Sequence, residues 1–150
     1  AGAVLVPADE GLFTLYESLG YRPTVTAAEI TCEAADTPTD LTPIDGREYE
    51  ALRRRYLPEN GIVQEGAALD FYATYGRFYK GADLLLACSM QEDTLQAAEF
   101  FGNTALCGNI LCALGAPTGS FRTPGDKKFG MYYPLQENCP TPDYLGFDLA

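Results

Sequence analysis

The 150 residues contain no histidine. That removes the commonest general base, the usual zinc ligand and every serine–histidine or cysteine–histidine nucleophile. Five cysteines (Cys32, Cys88, Cys107, Cys112 and Cys139) are an odd number without CxxC spacing. Cys88 and Cys112 sit inside apolar runs and read as small buried hydrophobes, so no metal site is expected and a reduced, cytoplasmic setting fits the cysteines. The remaining polar candidates carry two readings each. The acidic series Glu29, Glu33, Asp36, Asp40 and Asp45 either solvates a linker or lines a cleft for an amine. Arg53-Arg54-Arg55 with Lys80 could make a basic patch, but three successive helix positions splay over ~200° of the cylinder, which favours a solvated face. Arg122, Lys127 and Lys128 flank Pro124-Gly125 and could grip an anion, though an ordinary β-turn is the better reading. The most specific local string is Leu12-Phe13-Thr14-Leu15-Tyr16-Glu17-Ser18-Leu19-Gly20-Tyr21.

Charge narrows the partners. Ten lysines and arginines against 21 aspartates and glutamates give 10 − 21 = −11 at pH 7. Such a surface repels phosphate backbones and anionic lipid, so neither nucleic acid nor membrane is expected as partner, while cationic molecules such as amines are attracted. Hydrophobic residues at 47% and charged ones at 21% are those of a globular chain with a real core. No stretch approaches the ~20 apolar residues of a membrane span, and no secretory signal is visible. The chain opens on Ala1 without an initiator methionine, which suggests excision from something longer.

Several elements must position these residues. Ala3–Val6, bounded by Pro7, reads as a strand buried on both sides. Asp9 and Glu10 open a helix whose Leu12, Leu15, Tyr16 and Leu19 form one apolar stripe, stopped by Gly20. Tyr21–Cys32 reads as a strand with Pro23 at its start. Glu33–Gly46, with Pro38, Pro43 and three aspartates, reads as an exposed linker. Beyond it the spacing predicts a helix from Arg47 with Tyr49, Leu52 and Tyr56 on one face, stopped by Pro58 and Gly61. A second helix is expected over Gly66–Lys80, its aromatic stripe Phe71, Tyr72, Tyr75, Phe78 and Tyr79 packed as core. A strand at Asp83–Cys88, a helix at Thr94–Phe101, a strand at Asn109–Leu114 and two closing strands at Lys128–Leu135 and Tyr144–Leu149 complete the expectation. The class is α/β (mixed α+β).

The Leu12–Tyr21 string, with the strands before and after it, resembles the C-terminal motif of the GNAT superfamily of N-acetyltransferases. There a helix reading roughly aliphatic-Tyr-x-x-x-Gly-aromatic follows a buried strand. The resemblance implies a GNAT-like twisted mixed sheet flanked by helices, with a partial first lobe (residues 1–33), a linker (34–46) and a degenerate second lobe (47–150). It also implies acetyl-CoA as cosubstrate, a small-molecule or peptide amine as acceptor, and Tyr16 as the acid that protonates the departing coenzyme A thiolate. A phenol with a pKa near 10 suits that role; Tyr16 also reads as an amphipathic core tyrosine. Asp9 and Leu12 fall where the family contacts the pantetheine arm. Asp9 stands where many members carry asparagine, and aspartate accepts but does not donate; it also reads as a plain N-cap.

One part of the pattern is missing. The family holds the coenzyme A pyrophosphate on a glycine-containing turn, roughly Gln/Arg-x-x-Gly-x-Gly/Ala, at a helix N-terminus. No such string occurs in the sequence. Ser89-Met90-Gln91-Glu92-Asp93-Thr94 is expected at the equivalent place in the second lobe, where Glu92 and Asp93 would repel pyrophosphate. The resulting expectation is the C-terminal portion of a two-lobed acetyltransferase, inactive alone and able to dimerise through the edge of its first strand. The alternative is a non-catalytic module for dimerisation or acceptor-cleft shaping. A third reading is a standalone α/β protein whose tyrosine string is coincidental.

Overall fold

A computed structural model describes residues 2–138 and 140–147. Cys139 and the end of the expected Tyr144–Leu149 strand, from 148 onward, lie outside the described residues. One seven-stranded mixed sheet runs through the molecule in the order β1-β7-β6-β5-β4-β3, with β2 paired to the other edge of β7. Its strands are β1 (Gly2–Leu5), β2 (Arg22–Glu33), β3 (Thr42–Ile44), β4 (Arg77–Gly81), β5 (Leu84–Gln91), β6 (Thr94–Phe101) and β7 (Thr118–Pro134). The helices are α1 (Glu10–Ser18), α2 (Gly46–Tyr56), α3 (Ala67–Ala73) and α4 (Cys107–Leu114). Among the paired strands of the described residues, β6 and β7 alone run parallel.

Two cores lie on the two faces of the sheet. Strand β5 explains why. Its run Leu84-Leu85-Leu86-Ala87-Cys88 is buried on both sides, sending Leu84, Leu86 and Cys88 to one core and Leu85 and Ala87 to the other. The first core is closed by α4 through Cys107, Ile110 and Leu111. The second is closed by α2 and α3 through Tyr49, Leu69 and Tyr72.

Local signals set several boundaries as expected. The Asp9 carboxylate caps α1 and the Asp45 carboxylate caps α2, accepting from the amide of Glu48 at 2.9 Å. Gly115, outside those expectations, adopts the left-handed conformation that ends α4.

Other elements differ from the expectation, each for a readable reason. Thr94–Phe101 is strand β6, not a helix. Thr94-Leu95-Gln96-Ala97 does alternate, but Ala98 is an extra residue in the ladder: Cys88 faces Ala97 and Ala87 faces Glu99. That bulge reverses the alternation and imitates a three-residue period. Cys107–Leu114 is helix α4 rather than a strand; its buried residues Cys107, Ile110 and Leu111 show helical spacing once counted from Cys107. The aromatic stretch 66–80 splits into the short α3 and strand β4 at Gly76, where a Cβ would sit 2.2 Å from the Tyr72 ring. Ala3–Val6 is not buried on both sides, since Val4 is 37% exposed. On α1 the buried residue is Phe13, while Leu15 and Leu19 of the expected stripe are exposed. Residues 34–46 carry β3, an edge strand with Pro43 on it. Lys128–Leu135 is the latter part of the long β7, and Pro124-Gly125-Asp126 is a bulge within that strand rather than a turn between strands. Tyr144 makes an isolated parallel bridge to Gly61 instead of beginning a strand.

Candidate functional site

Strand β1, helix α1 and strand β2 place the three residues that the sequence motif singles out. Asp9 accepts a hydrogen bond from the Leu12 amide at 3.0 Å, so these two form one helix cap. Tyr16 lies one turn beyond Leu12 on the same face of α1. Its half-buried ring meets Tyr21 edge to face at 5.5 Å, and Tyr21 stands 5.3 Å from Tyr133 on β7. The Tyr21 amide donates to the Tyr16 carbonyl at 3.0 Å. The phenol is therefore fixed by the turn after α1 and by β7 together.

A second feature is the fork between β6 and β7. The two parallel strands stay paired over Thr94–Ala97 and Thr118–Phe121 and then separate. Beyond the fork β7 continues, and β1 joins it at Met131–Pro134. A cavity of about 300 Å³ opens beside the diverging strands, lined by Tyr56, Phe100, Phe101, Gly102, Thr104, Thr123 and Pro124. The strand-to-helix connection at this end is Gly102–Leu106, not Ser89–Thr94. The latter is the β5–β6 hairpin, with Glu92 in the left-handed region at φ 57°.

The cavity's apolar and hydroxyl lining suits an acyl chain or an amide-bearing arm. It does not suit a diphosphate. Gly102 is its one glycine and none of its lining residues is cationic. Chain 34–39 also lies along the first turn of α4: the Ala35 amide donates to the Gly108 carbonyl at 2.9 Å, and the Asn109 side chain to the Thr37 carbonyl at 2.9 Å. A Cβ on Gly108 would approach the Glu33 carbonyl oxygen to 3.1 Å.

The third feature escaped the sequence reading. Glu99 on β6 is fully buried and receives four hydrogen bonds: Tyr49 hydroxyl at 2.6 Å, Arg53 Nε at 2.7 Å and Nη2 at 3.0 Å, and Tyr144 hydroxyl at 2.9 Å. Arg53 is thus not part of a solvated face or a basic patch. It is 1% exposed, and its remaining donors reach the carbonyls of Ile62 and Leu145. Burial weakens the guanidinium's hold on its proton, but bonding to Glu99 outweighs this and raises its pKa. Burial first, then the Glu99 charge, drives the Tyr49 and Tyr144 hydroxyls far above the usual phenol range. The one signal in the sequence was Glu99 itself, a lone carboxylate inside Ala97-Ala98-Glu99-Phe100-Phe101. Segment Asp143–Phe147 seals the network, since a Cβ on Gly146 would fall 2.0 Å from Glu99 Oε2. Arg54 lies outside it, pairing with Glu65. Among the described residues no group of three or more cysteine, aspartate or glutamate side chains could hold a metal ion. Nor is any helix there long and apolar enough to cross a membrane.

Solved structures share the overall fold of this chain. A GCN5-related N-acetyltransferase from Kribbella flavida superposes with a TM-score of 0.57 at 14% identity, covering 87% of this chain and 42% of its own. A conserved protein from Enterococcus faecalis V583, described as a probable N-acyltransferase, superposes with a TM-score of 0.55 at 17% identity, covering 88% of this chain and 45% of its own. The chain has the GNAT fold. It spans less than half the length of either of these GNAT-fold structures. No family model matches the chain, and no curated protein matches it in sequence.

Proposed function

We propose that the chain is the C-terminal portion of an acetyl-CoA-dependent N-acyltransferase that moves an acetyl group onto an amine, and that alone it has little activity. The observation that carries this is the GNAT-fold sheet with its parallel pair opening after Ala97 and Phe121; Tyr16, Asp9 and Leu12 lie on α1 and its cap and do not line the cavity at that fork. In the reaction the amine nitrogen forms a bond to the thioester carbonyl carbon, the carbon–sulfur bond breaks, and the leaving thiolate takes a proton. Tyr16 is the proposed proton donor, with Asp9 and Leu12 at the start of its helix beside the pantetheine arm. The 1–33, 34–46 and 47–150 division, the cytoplasmic setting and a homodimer belong to the same proposal.

What the cavity lacks supports the inactivity. A diphosphate needs converging amides or cations, and the fork has neither glycine-rich turn nor charge. In a protein carrying such a turn, Tyr16→Phe should lower kcat about 100-fold, the low end for loss of an acid catalyst. The same assay on the present chain, thiol release from acetyl-CoA with a panel of amines, should stay at background. Robust release would overturn the proposal. A non-catalytic role in shaping the acceptor cleft is the second reading, favoured by the chain laid along α4.

A further inference from the structure

Away from the fork and the buried network, a cleft of about 340 Å³ opens on the α3 face of the sheet. Its floor follows from strand register. Ser89 on β5 faces Gln96 on β6, Gln96 faces Ser120 on β7, and one step further Arg122 on β7 faces Glu29 on β2. Cross-strand partners project to the same face, so four strands contribute one polar row where β5, β6 and β7 otherwise bury leucine, alanine and phenylalanine. Tyr72 and Tyr75 form the wall, their rings edge to face at 5.0 Å.

Any uncovered sheet face needs polar residues, but three observations go beyond that. Tyr72 is 2% exposed and lines the cleft, its hydroxyl set beside the Ser89 side chain at the floor. Glu29 and Arg122 are neighbours of opposite charge, yet among the described residues neither is in an ion pair. Arg122 instead rests over the Phe129 ring at 4.4 Å and reaches the Gly146 carbonyl at only 3.5 Å, leaving guanidinium donors available. Gln96 accepts from the Ser120 hydroxyl at 2.7 Å, which turns its carbonyl inward and leaves its amide donors for another partner.

We propose that this cleft binds a small zwitterion of the amino-acid type, with its ammonium on Glu29, its carboxylate on Arg122 and its side chain against Tyr72 and Tyr75. Directly opposed side chains on an antiparallel pair start about 5 Å apart, which matches the close spacing of the two charges of an α-amino acid. The guanidinium fork fits a carboxylate in two-pronged fashion. A free amine would leave Arg122 uncompensated, and a simple carboxylate would meet both Glu29 and the chain's net charge of −11. A zwitterion satisfies both groups and is neutral overall. The inference does not rest on acyl transfer.

The test is an NMR titration of the isotope-labelled chain with the protein L-amino acids one at a time, no acyl donor being present. At least one is expected to saturate, with amide shifts concentrated at Ser89, Gln96 and Ser120. Its carboxamide and its N-acetyl derivative should each bind at least about 10-fold more weakly, as should Glu29→Gln and Arg122→Gln, since each removes one charge-assisted contact. Arg122→Lys, which keeps the charge but not the fork, should recover part of the loss. The proposal is overturned if none of the amino acids saturates, if the shifts cluster elsewhere, or if the derivatives and variants bind as well as the parent pair.

Discussion

Glu99 is a carboxylate with no exposure, and burying such a charge is tolerated only when its lone pairs are met. Two phenols and two arms of one guanidinium meet them here. Glu99→Gln keeps the shape but leaves Arg53 charged and unpaired, so it should destabilise the chain by about 3–5 kcal/mol. Tyr144→Phe removes one donor from a charged acceptor and should cost about 1.5–3 kcal/mol. Urea unfolding midpoints check both, and equal midpoints for the two variants would contradict this ordering. Alkali provides another check. Burial pushes the Cys88 thiol up to about 12 and the Tyr49 and Tyr144 hydroxyls up as well. A folded-state pKa raised in this way means that the unfolded chain gives up its proton first. Stability is therefore full below about pH 9 and falls as the pH rises from there toward 12. Cys88→Ala should flatten the early part of that fall, as measured by unfolding at fixed pH steps. Sequence spacing shows why Arg53 was misread. Helical periodicity separates Arg53 from Arg54 and Arg55 only if something acidic awaits it, and Glu99 stands 46 residues away on a strand.

Among the elements, capped helices were the legible part and ladder irregularities the illegible part. Asp9 and Asp45 mark α1 and α2 because an N-cap is a local event between residues three apart. The single extra residue Ala98 is invisible locally; it matters only through its partner strand β5. The α4 segment shows the same limit, since a short apolar run has no strand-or-helix signature until packing decides. The bulge at Pro124-Gly125-Asp126 is a further case, read as a turn from composition alone. There Ala27 faces Lys127 and Ala28 faces Thr123, so three residues leave the ladder. A Cβ on Gly125 would stand 2.4 Å from the Ala28 Cβ and 2.6 Å from its backbone nitrogen. Gly125→Ala must therefore push β2 and β7 apart, with an expected loss of about 1–3 kcal/mol. Thermal unfolding measures this, and a neutral outcome would mean that the two strands are not held that closely.

For the molecule as a whole, the motif around Tyr16 pointed to the GNAT architecture although much of the element assignment after residue 66 was inverted. That is physically reasonable. The motif occupies one contiguous strand–helix–strand unit, whereas the central sheet depends on pairings between distant segments. The polar cleft was half legible: Glu29 was already a candidate for lining an amine cleft and Arg122 for holding an anion, but only the register of β2 on β7 places them side by side. In this proposal α1 supplies the proton donor and the fork supplies room for an acyl arm, two places that share no lining residue. Neither supplies a grip on the nucleotide end of the cosubstrate. Calorimetric titration of the chain with acetyl-CoA addresses this most directly. The account predicts no saturable heat below the millimolar range, at most about 4 kcal/mol of binding. Saturable binding at micromolar concentrations would contradict it.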